Sequence, residues 1–306
     1  MQKLSVVLAV RNEEKNLARC LDSVKAIADE IIVFDEYSTD RTVEIAKSYG
    51  AKVYKEPHHE IFHITKQKAI NRATGDWILQ LDADEVVTPE LALEIKEVIE
   101  MSDNEILNRR PKSKKKWDLF MRHQGVVEAR DGKIGGNTGE VVAFLFPRLN
   151  MFIGKPLIHA GVYPDAFIRL IKKGKAHLPA KSVHEQMVID GRVAWLFNNL
   201  EHHDSPSLRR YIWRADRYTN LTADEFEQKK LPKNIGEIFF YSFIKPFVVF
   251  INLFIRHRGY LDGIPGFLWS AFSALHFPIA YFKYYTGSYN ADYTSIKYNE
   301  QYGSKR

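Results

Sequence analysis

In Asp76-Trp-Ile-Leu-Gln-Leu-Asp-Ala-Asp-Glu85 a short apolar run breaks into an acidic cluster. A segment this short and this apolar has the pattern of a strand buried on both faces of a parallel sheet. It would deliver Asp82 and Asp84 just beyond its carboxyl end. Two carboxylates one residue apart at a strand end can hold a divalent cation and, through it, a diphosphate. The same triplet also occurs as an ordinary solvated turn. The flanking sequence separates the two readings.

Upstream, Leu4–Val10 reads as another buried strand, and 12–28 has a helical pattern with Leu17, Leu21 and Val24 on one stripe and Asn12 placed to cap it. Glu30–Phe34 is a second strand ending at Asp35. Ser38-Thr39-Asp40 can cap the next helix, which buries Val43 and Ala46 and stops at Gly50. A third, shorter strand covers Lys52-Val-Tyr54, and 63–73 is again helical. Downstream of the acidic cluster, 89–101 reads as a helix with acidic residues in its first turn, as the dipole favours. Four repeats of strand then helix predict an α/β fold whose sheet is mostly parallel and flanked by helices. Ligands in such sheets sit outside the carboxyl ends of the strands, where Asp35 and the acidic cluster both fall. Regularity fails over 102–140, and 141–147 and 166–171 are later strands.

Composition narrows the function classes. A chain of 306 residues can build a core without disulfides, and Cys20, the single cysteine, excludes an internal disulfide framework or a cysteine zinc cluster. A dinucleotide-dependent oxidoreductase would want a glycine-rich turn after the first strand, and Ala9-Val-Arg-Asn-Glu13 has none. The net charge of +6 is carried by Arg109-Arg-Pro-Lys-Ser-Lys-Lys-Lys116. That octet fits anionic headgroups or a phosphorylated acceptor as well as a mobile loop kept soluble by charge. Nucleic acid is not an expected partner, because no aromatics interleave the run and no helix-turn-helix or finger pattern accompanies it. The first residues enter a strand almost at once without a secretory pattern, so a cytosolic catalytic face is expected.

From Tyr211 the chain reads as helical and then strongly apolar. Residues 238–255 hold 14 apolar side chains in 18, and 264–282 pass without Asp, Glu, Lys or Arg. Neither stretch comfortably exceeds the ~30 Å hydrocarbon core, and Lys245, Pro246, Pro265 and Pro278 interrupt them. Helices lying in the interface, with Trp269, Tyr281, Tyr284, Arg256 and Arg258 near headgroups, are the preferred expectation. A spanning hairpin and a soluble helical subdomain are the alternatives.

Together, Ser5-Val-Val-Leu-Ala-Val-Arg-Asn-Glu-Glu14, Ala28-Asp-Glu-Ile-Ile-Val-Phe-Asp35, Ser38-Thr-Asp-Arg-Thr42 and Thr74-Gly-Asp-Trp77 leading into the acidic cluster resemble family 2 glycosyltransferases. Pro147-Arg-Leu-Asn-Met-Phe-Ile-Gly154, His159-Ala-Gly-Val-Tyr-Pro-Asp165, Val183-His-Glu185 and Tyr260-Leu-Asp-Gly-Ile-Pro-Gly-Phe267 look like the bacterial branch of lipopolysaccharide core β-1,4-glucosyltransferases. The resemblance implies a GT-A type fold with an apolar helical C-terminal extension. It implies a catalytic domain over 1–205, with a nucleotide-binding half at 1–101 and an acceptor-side half at 102–205, followed by a membrane-associated region at 206–306. It further implies an inverting, metal-dependent enzyme that moves a hexose, glucose first, from a UDP-sugar to a membrane glycolipid. The expected location is the cytoplasmic face of the bacterial inner membrane, peripheral or monotopic, with oligomeric state unassigned. A polyprenyl-phosphate acceptor and a non-catalytic scaffold of the same fold are the alternative readings.

The resemblance also assigns roles. Asp35 would accept the imide hydrogen of uracil, with Val10, Asn12 and Glu13 near base and ribose and Lys66 at the donor site; Arg169 is a candidate diphosphate or acceptor contact, with a strand-edge salt bridge as the alternative. Asp84 would coordinate Mg²⁺ or Mn²⁺ directly, Asp82 would contact ribose and reach the metal shell through water, and Ala83 lies between them. His202 would complete the metal shell, with His203 open to the same role. Glu185 is the first choice for the base that takes the acceptor proton, and Asp165 is its competitor. Three departures stand out: Asp35-Glu-Tyr-Ser-Thr-Asp40 carries a bulkier, more acidic pair than the family pattern, Thr65-Lys66-Gln67 replaces the usual Gln-Lys-Asn, and 102–140 looks inserted.

Overall fold

The computed structural model describes residues 1–59, 61–179 and 187–289. The chain forms two compact units, one of 1–150 with 163–204 and one of 151–162 with 205–306. The short segment 151–162 thus belongs with the C-terminal helices.

In the first unit the strands and helices run β1 (Leu4–Val10), α1 (Leu17–Val24), β2 (Glu30–Asp35), α2 (Thr42–Ser48), β3 (Lys52–Lys55), α3 (His63–Arg72), β4 (Trp77–Leu81), β5 (Glu85–Val87), α4 (Pro89–Val98), α5 (Asp103–Asn108), α6 (Lys114–Asp131), β6 (Val141–Phe146) and β7 (Arg148–Phe152), the last of which leads into the second unit. After β8 (Lys155–Pro156) the first unit resumes with β9 (Phe167–Lys172), β10 (Ala176–His177), β11 (Val188–Ile189), β12 (Arg192–Trp195) and β13 (Leu200–Ser205).

The main sheet has the order β12-β6-β9-β4-β1-β2-β3. Pairs β1–β2, β1–β4, β2–β3 and β6–β12 are parallel, whereas β9 runs antiparallel to both β4 and β6. The sheet is therefore mixed, and the reversal at β9 is what the sequence left unseen. Alternation along β1 explains why its sequence is apolar throughout: Leu4, Val6, Leu8 and Val10 join a core with α1 and α4, while Val7 joins Ile32 and Ile78 beneath Ala69 and Ile70 of α3. Both faces are covered, so no residue of β1 is solvent-facing.

Helix α1 begins five residues later than the helical pattern suggested. Asn12 has φ +56°, and its side-chain oxygen accepts from the Thr39 amide at 2.8 Å, so it ties two loops together and does not cap. The stretch 102–140 is ordered as well. Ser102 and Glu105 form a capping box on α5, and Ser113 caps α6. Phe120 of α6 packs with Ile134, Leu145 and Trp195 in a separate core.

The basic octet is the corner between these helices, and half of its charges are engaged within the unit. Arg109 pairs with buried Glu94, Arg110 stacks on Trp117, and Lys116 donates to the Phe197 carbonyl at 2.6 Å. Lys112, Lys114 and Lys115 remain exposed, so only they fit the expectation of a free basic surface.

The second unit contains α7 (Leu208–Gln228), a continuous helix α8 (Ile235–Arg256) that includes two π-helical turns, and α9 (Gly263–Thr286). Ala223 and Phe226 of α7 pack on Ala280, Tyr281 and Tyr284 of α9. Asp262 accepts from the backbone amides of Ile158 and His159 and meets the His159 ring at 2.7 Å. Gly266 is required here, because a Cβ would lie 1.9 Å from the Gly259 carbonyl oxygen. Helix α8 has 22 residues, and its most apolar 18-residue window has a mean hydropathy of 2.0 with none of it buried. At ~1.5 Å per residue it reaches ~33 Å, longer than the 18 residues read from sequence and matched to a bilayer core. It is the one helix among the described residues long and apolar enough to cross a membrane.

Candidate functional site

The parallel register sets Val10 beside Asp35 at the carboxyl ends of β1 and β2, and β4 ends alongside them in the acidic cluster. Asp35 is fully buried. Its Oδ2 accepts from the Ser38 amide at 3.1 Å and from Lys55 Nζ at 2.6 Å, while its buried Oδ1 has no hydrogen-bond partner among the described residues. A buried acceptor left unpaired costs ~1–3 kcal/mol, so this oxygen is suited to accept from a bound donor. The loops above it are fastened together: the Asn12 amide donates to Ser38 Oγ at 2.9 Å, and the Glu13 amide to Thr42 Oγ1 at 2.7 Å.

Asp82 is held from two sides, by Lys66 Nζ at 2.5 Å and Arg169 Nη2 at 2.7 Å. Burial pushes its carboxyl up, but Arg169 and Lys66 outweigh that and hold it far below the usual carboxylate range. Arg169 is itself buried and also donates to Gln80 Oε1 at 2.7 Å and Glu85 Oε1 at 2.6 Å. The desolvation that would favour its neutral form is overridden by Asp82 and Glu85, so the guanidinium stays charged. Glu85 completes the turn by accepting the Asp82 amide at 2.9 Å. Arg169 therefore braces the acidic loop from beneath, with its guanidinium committed to protein partners. Ala83 is buried between the two aspartates.

Asp84 points elsewhere. Its Oδ2 lies 3.5 Å from His202 Nε2, and solvent reaches 28% of its side chain. Burial raises its pKa, but the hydrogen bond and charge of His202 outweigh this and set it below the ordinary value. Strand β13 carries His202 to this position by pairing antiparallel with β5, placing His202 opposite Glu85. Its neighbour His203 turns away to Glu201, 2.9 Å from Nε2 to Oε2, so the geometry selects His202 of the two.

Behind His202 runs a chain of polar contacts that sequence reasoning missed. Arg148 donates to Asp165 Oδ2 at 2.7 Å, Asn150 Nδ2 donates to the same oxygen at 2.7 Å, and Asn150 Oδ1 lies 2.7 Å from His202 Nδ1. With its amide group committed to Asp165, Asn150 offers only its oxygen, which places the imidazole proton on Nδ1. That leaves the Nε2 edge facing the Asp84 carboxylate at 3.5 Å, where a proton on Nε2 gives an ion pair and the neutral ring offers a lone pair that, with the carboxylate, could hold a cation. Pro147-Arg-Leu-Asn150 carried the signal for this chain of contacts in the sequence, but a strand-edge asparagine has no readable role until its neighbours are placed.

Among the described residues, no group of three or more His, Cys, Asp and Glu side chains forms a ready metal cage. Asp84 and His202 could supply two ligands to a metal, whereas Asp82 faces its cationic partners. A small hard cation bound by one or two protein ligands, with phosphate oxygens and water supplying the rest, fits that donor set. Asp165 is brought to the site but is committed to Arg148 and Asn150. Glu185 and His184 lie outside the described residues.

Comparison with known proteins gives the lineage. Residues 5–166 match Glycosyl transferase family 2. An uncharacterized glycosyltransferase of Rickettsia prowazekii is 43% identical over 278 residues, covering 86% of this chain and 82% of that protein. The lipopolysaccharide core biosynthesis glycosyltransferase LpsC of Rhizobium meliloti is 25% identical over 274 residues, covering 87% of this chain and 85% of that one. Other curated relatives are matched over only 32% and 26% of their own length. Among solved structures, glucosyl-3-phosphoglycerate synthase of Mycobacterium tuberculosis in complex with Mn²⁺ and UDP-glucose overlaps 31% of this chain and 37% of that chain at 26% identity, with a TM-score of 0.27. The matched segment spans both the Asp35 corner and the Asp82–Asp84 loop, and with the near full-length Rickettsia relative it shows that the chain belongs to glycosyltransferase family 2.

Proposed function

We propose that this chain is an inverting glycosyltransferase with a GT-A type arrangement that takes a hexose, glucose first, from a UDP-sugar and delivers it to a membrane glycolipid such as a lipopolysaccharide inner core. The observation that carries the reading is the combination, at the carboxyl ends of β2 and β4 on either side of β1, of a buried carboxylate with an unsatisfied oxygen at Asp35 and a partly solvent-accessible Asp84–His202 pair. The first suits a nucleobase N–H; the second suits a cation on a diphosphate. The distant likeness to LpsC and the exposed apolar helix α8 favour a lipid-linked acceptor.

In this mechanism Asp35 anchors the base, and Lys66 and Arg169 keep Asp82 ionised and oriented toward the ribose. Asp84 and His202 hold Mg²⁺ or Mn²⁺, which when bound stabilises the charge growing on the departing diphosphate. The acceptor hydroxyl oxygen attacks the anomeric carbon from the face opposite the UDP, the bond to the diphosphate oxygen breaks, and a carboxylate takes the hydroxyl proton. Glu185 is assigned that proton transfer, because Asp165 Oδ2 already accepts from Arg148 and Asn150 and is better suited to orienting His202.

A nucleotide-sugar hydrolysis panel with Mg²⁺ or Mn²⁺, followed by transfer to extracted glycolipids, tests the reading. Turnover of UDP-hexose is expected. Absence of turnover or binding for every UDP-sugar under all metal conditions would remove the proposal.

A further inference from the structure

The loop after β2 departs from its family pattern at Glu36 and Tyr37, and the two substitutions have opposite fates. Glu36 is buried, receiving the Thr65 hydroxyl and the His58 ring and so fixing the start of α3. Tyr37 is 60% exposed and has φ +51°, a left-handed conformation that a glycine or asparagine adopts at far less cost than a tyrosine. Nothing in the core requires this ring. The ring instead lies 5.7 Å from Lys55 Nζ, the same ammonium that is 2.6 Å from Asp35 Oδ2. An exposed aromatic, a half-exposed ammonium and a buried carboxylate oxygen without a partner thus meet at one corner.

We infer that Tyr37 and Lys55 are specificity-determining residues for the nucleobase, an inference that rests on the proposed use of a UDP-sugar. Asp35 is fully buried, Lys55 Nζ lies 2.6 Å from its Oδ2, and the exposed Tyr37 ring lies beside that ammonium, so a base pairing with this carboxylate would meet Lys55 and Tyr37 at its edge. Uracil presents an N–H between two carbonyls. Asp35 Oδ1 accepts the N–H, Lys55 donates one of its remaining hydrogens to a flanking carbonyl, and Tyr37 closes over the ring face. Cytosine has a bare ring nitrogen in place of the N–H, so it would set a lone pair against the carboxylate. The backbone strain at Tyr37 is then the cost of keeping an aromatic where a smaller residue would fold more easily.

The test is UDP and CDP titration of the full chain in detergent with Mn²⁺, alongside thermal unfolding. Tyr37→Gly relieves the strained backbone, so its unfolding midpoint should equal or exceed wild type while UDP binds about ten-fold or more weakly, the scale of one base–aromatic stack. Tyr37→Phe should bind as wild type, and Lys55→Met should weaken UDP and narrow the UDP-over-CDP preference. Unchanged UDP affinity in Tyr37→Gly, in a protein whose wild type binds UDP, overturns the inference and leaves the proposed function standing. A wild type that binds no uridine nucleotide overturns both.

Discussion

Arg169 shows how a residue near a site can serve it without touching a ligand. Its guanidinium is held by Gln80, Asp82 and Glu85 beneath the acidic loop. Replacing it with methionine would leave buried Glu85 without its countercharge and partly buried Asp82 with Lys66 alone. Arg169→Met is therefore expected to cost ~3–5 kcal/mol, read as a lowered urea midpoint, with donor affinity falling as a consequence of loop collapse. Glu185→Gln should behave oppositely: stability unchanged, UDP-sugar KM unchanged, and kcat reduced by about 10²-fold or more in a transfer assay. If Asp165→Asn gives that signature instead, the base is Asp165. The sequence made Asp35, Asp82 and Asp84 visible because strand ends concentrate function in this fold class. Arg148, Asn150 and Lys55 were not legible, because each acquires meaning only from a partner remote in sequence.

At the scale of elements, Glu30 at the start of β2 joins three neighbouring strands. It accepts from Ser5 Oγ of β1 at 2.6 Å, from the Thr74 amide and hydroxyl before β4, and from Lys52 of β3. Burial pushes its pKa up, but the Ser5 and Thr74 bonds, with Lys52, lower it to about 2. A depressed carboxylate contributes stability that is full above its unfolded value and is lost as pH falls toward its folded one. Urea unfolding should show this contribution, on the order of 2–3 kcal/mol, vanishing between about pH 4.5 and 2 in wild type and absent throughout in Glu30→Gln. A flat difference between the two proteins over that window would show that Glu30 is not the group responsible. Elements were legible where burial is two-sided, as in β1, β2 and β4, because apolar runs survive any detail of packing. Helix α6 escaped because Phe120 is its only buried residue, so no apolar stripe marks it. The reversal of β9 escaped because Phe167–Lys172 presents the same pattern in either direction.

At the scale of the whole molecule, the chain carries its polar chemistry in one unit and a large apolar surface in the other. Phe243 and Phe247 of α8 are 63% and 67% exposed, so replacing both with serine removes no core packing. The double variant should lose flotation with anionic liposomes and keep UDP-sugar hydrolysis within about three-fold of wild type, since surface substitutions away from the site change little. Retained flotation would move membrane attachment away from α8. The central claim is that Asp84 and His202 hold a cation through which the donor diphosphate binds. Calorimetric titration of UDP with and without Mn²⁺, on wild type and Asp84→Ala, tests it most directly. The account predicts tight binding to wild type only when Mn²⁺ is present and loss of that metal dependence in Asp84→Ala; equal UDP binding by both proteins in Mn²⁺ would contradict it.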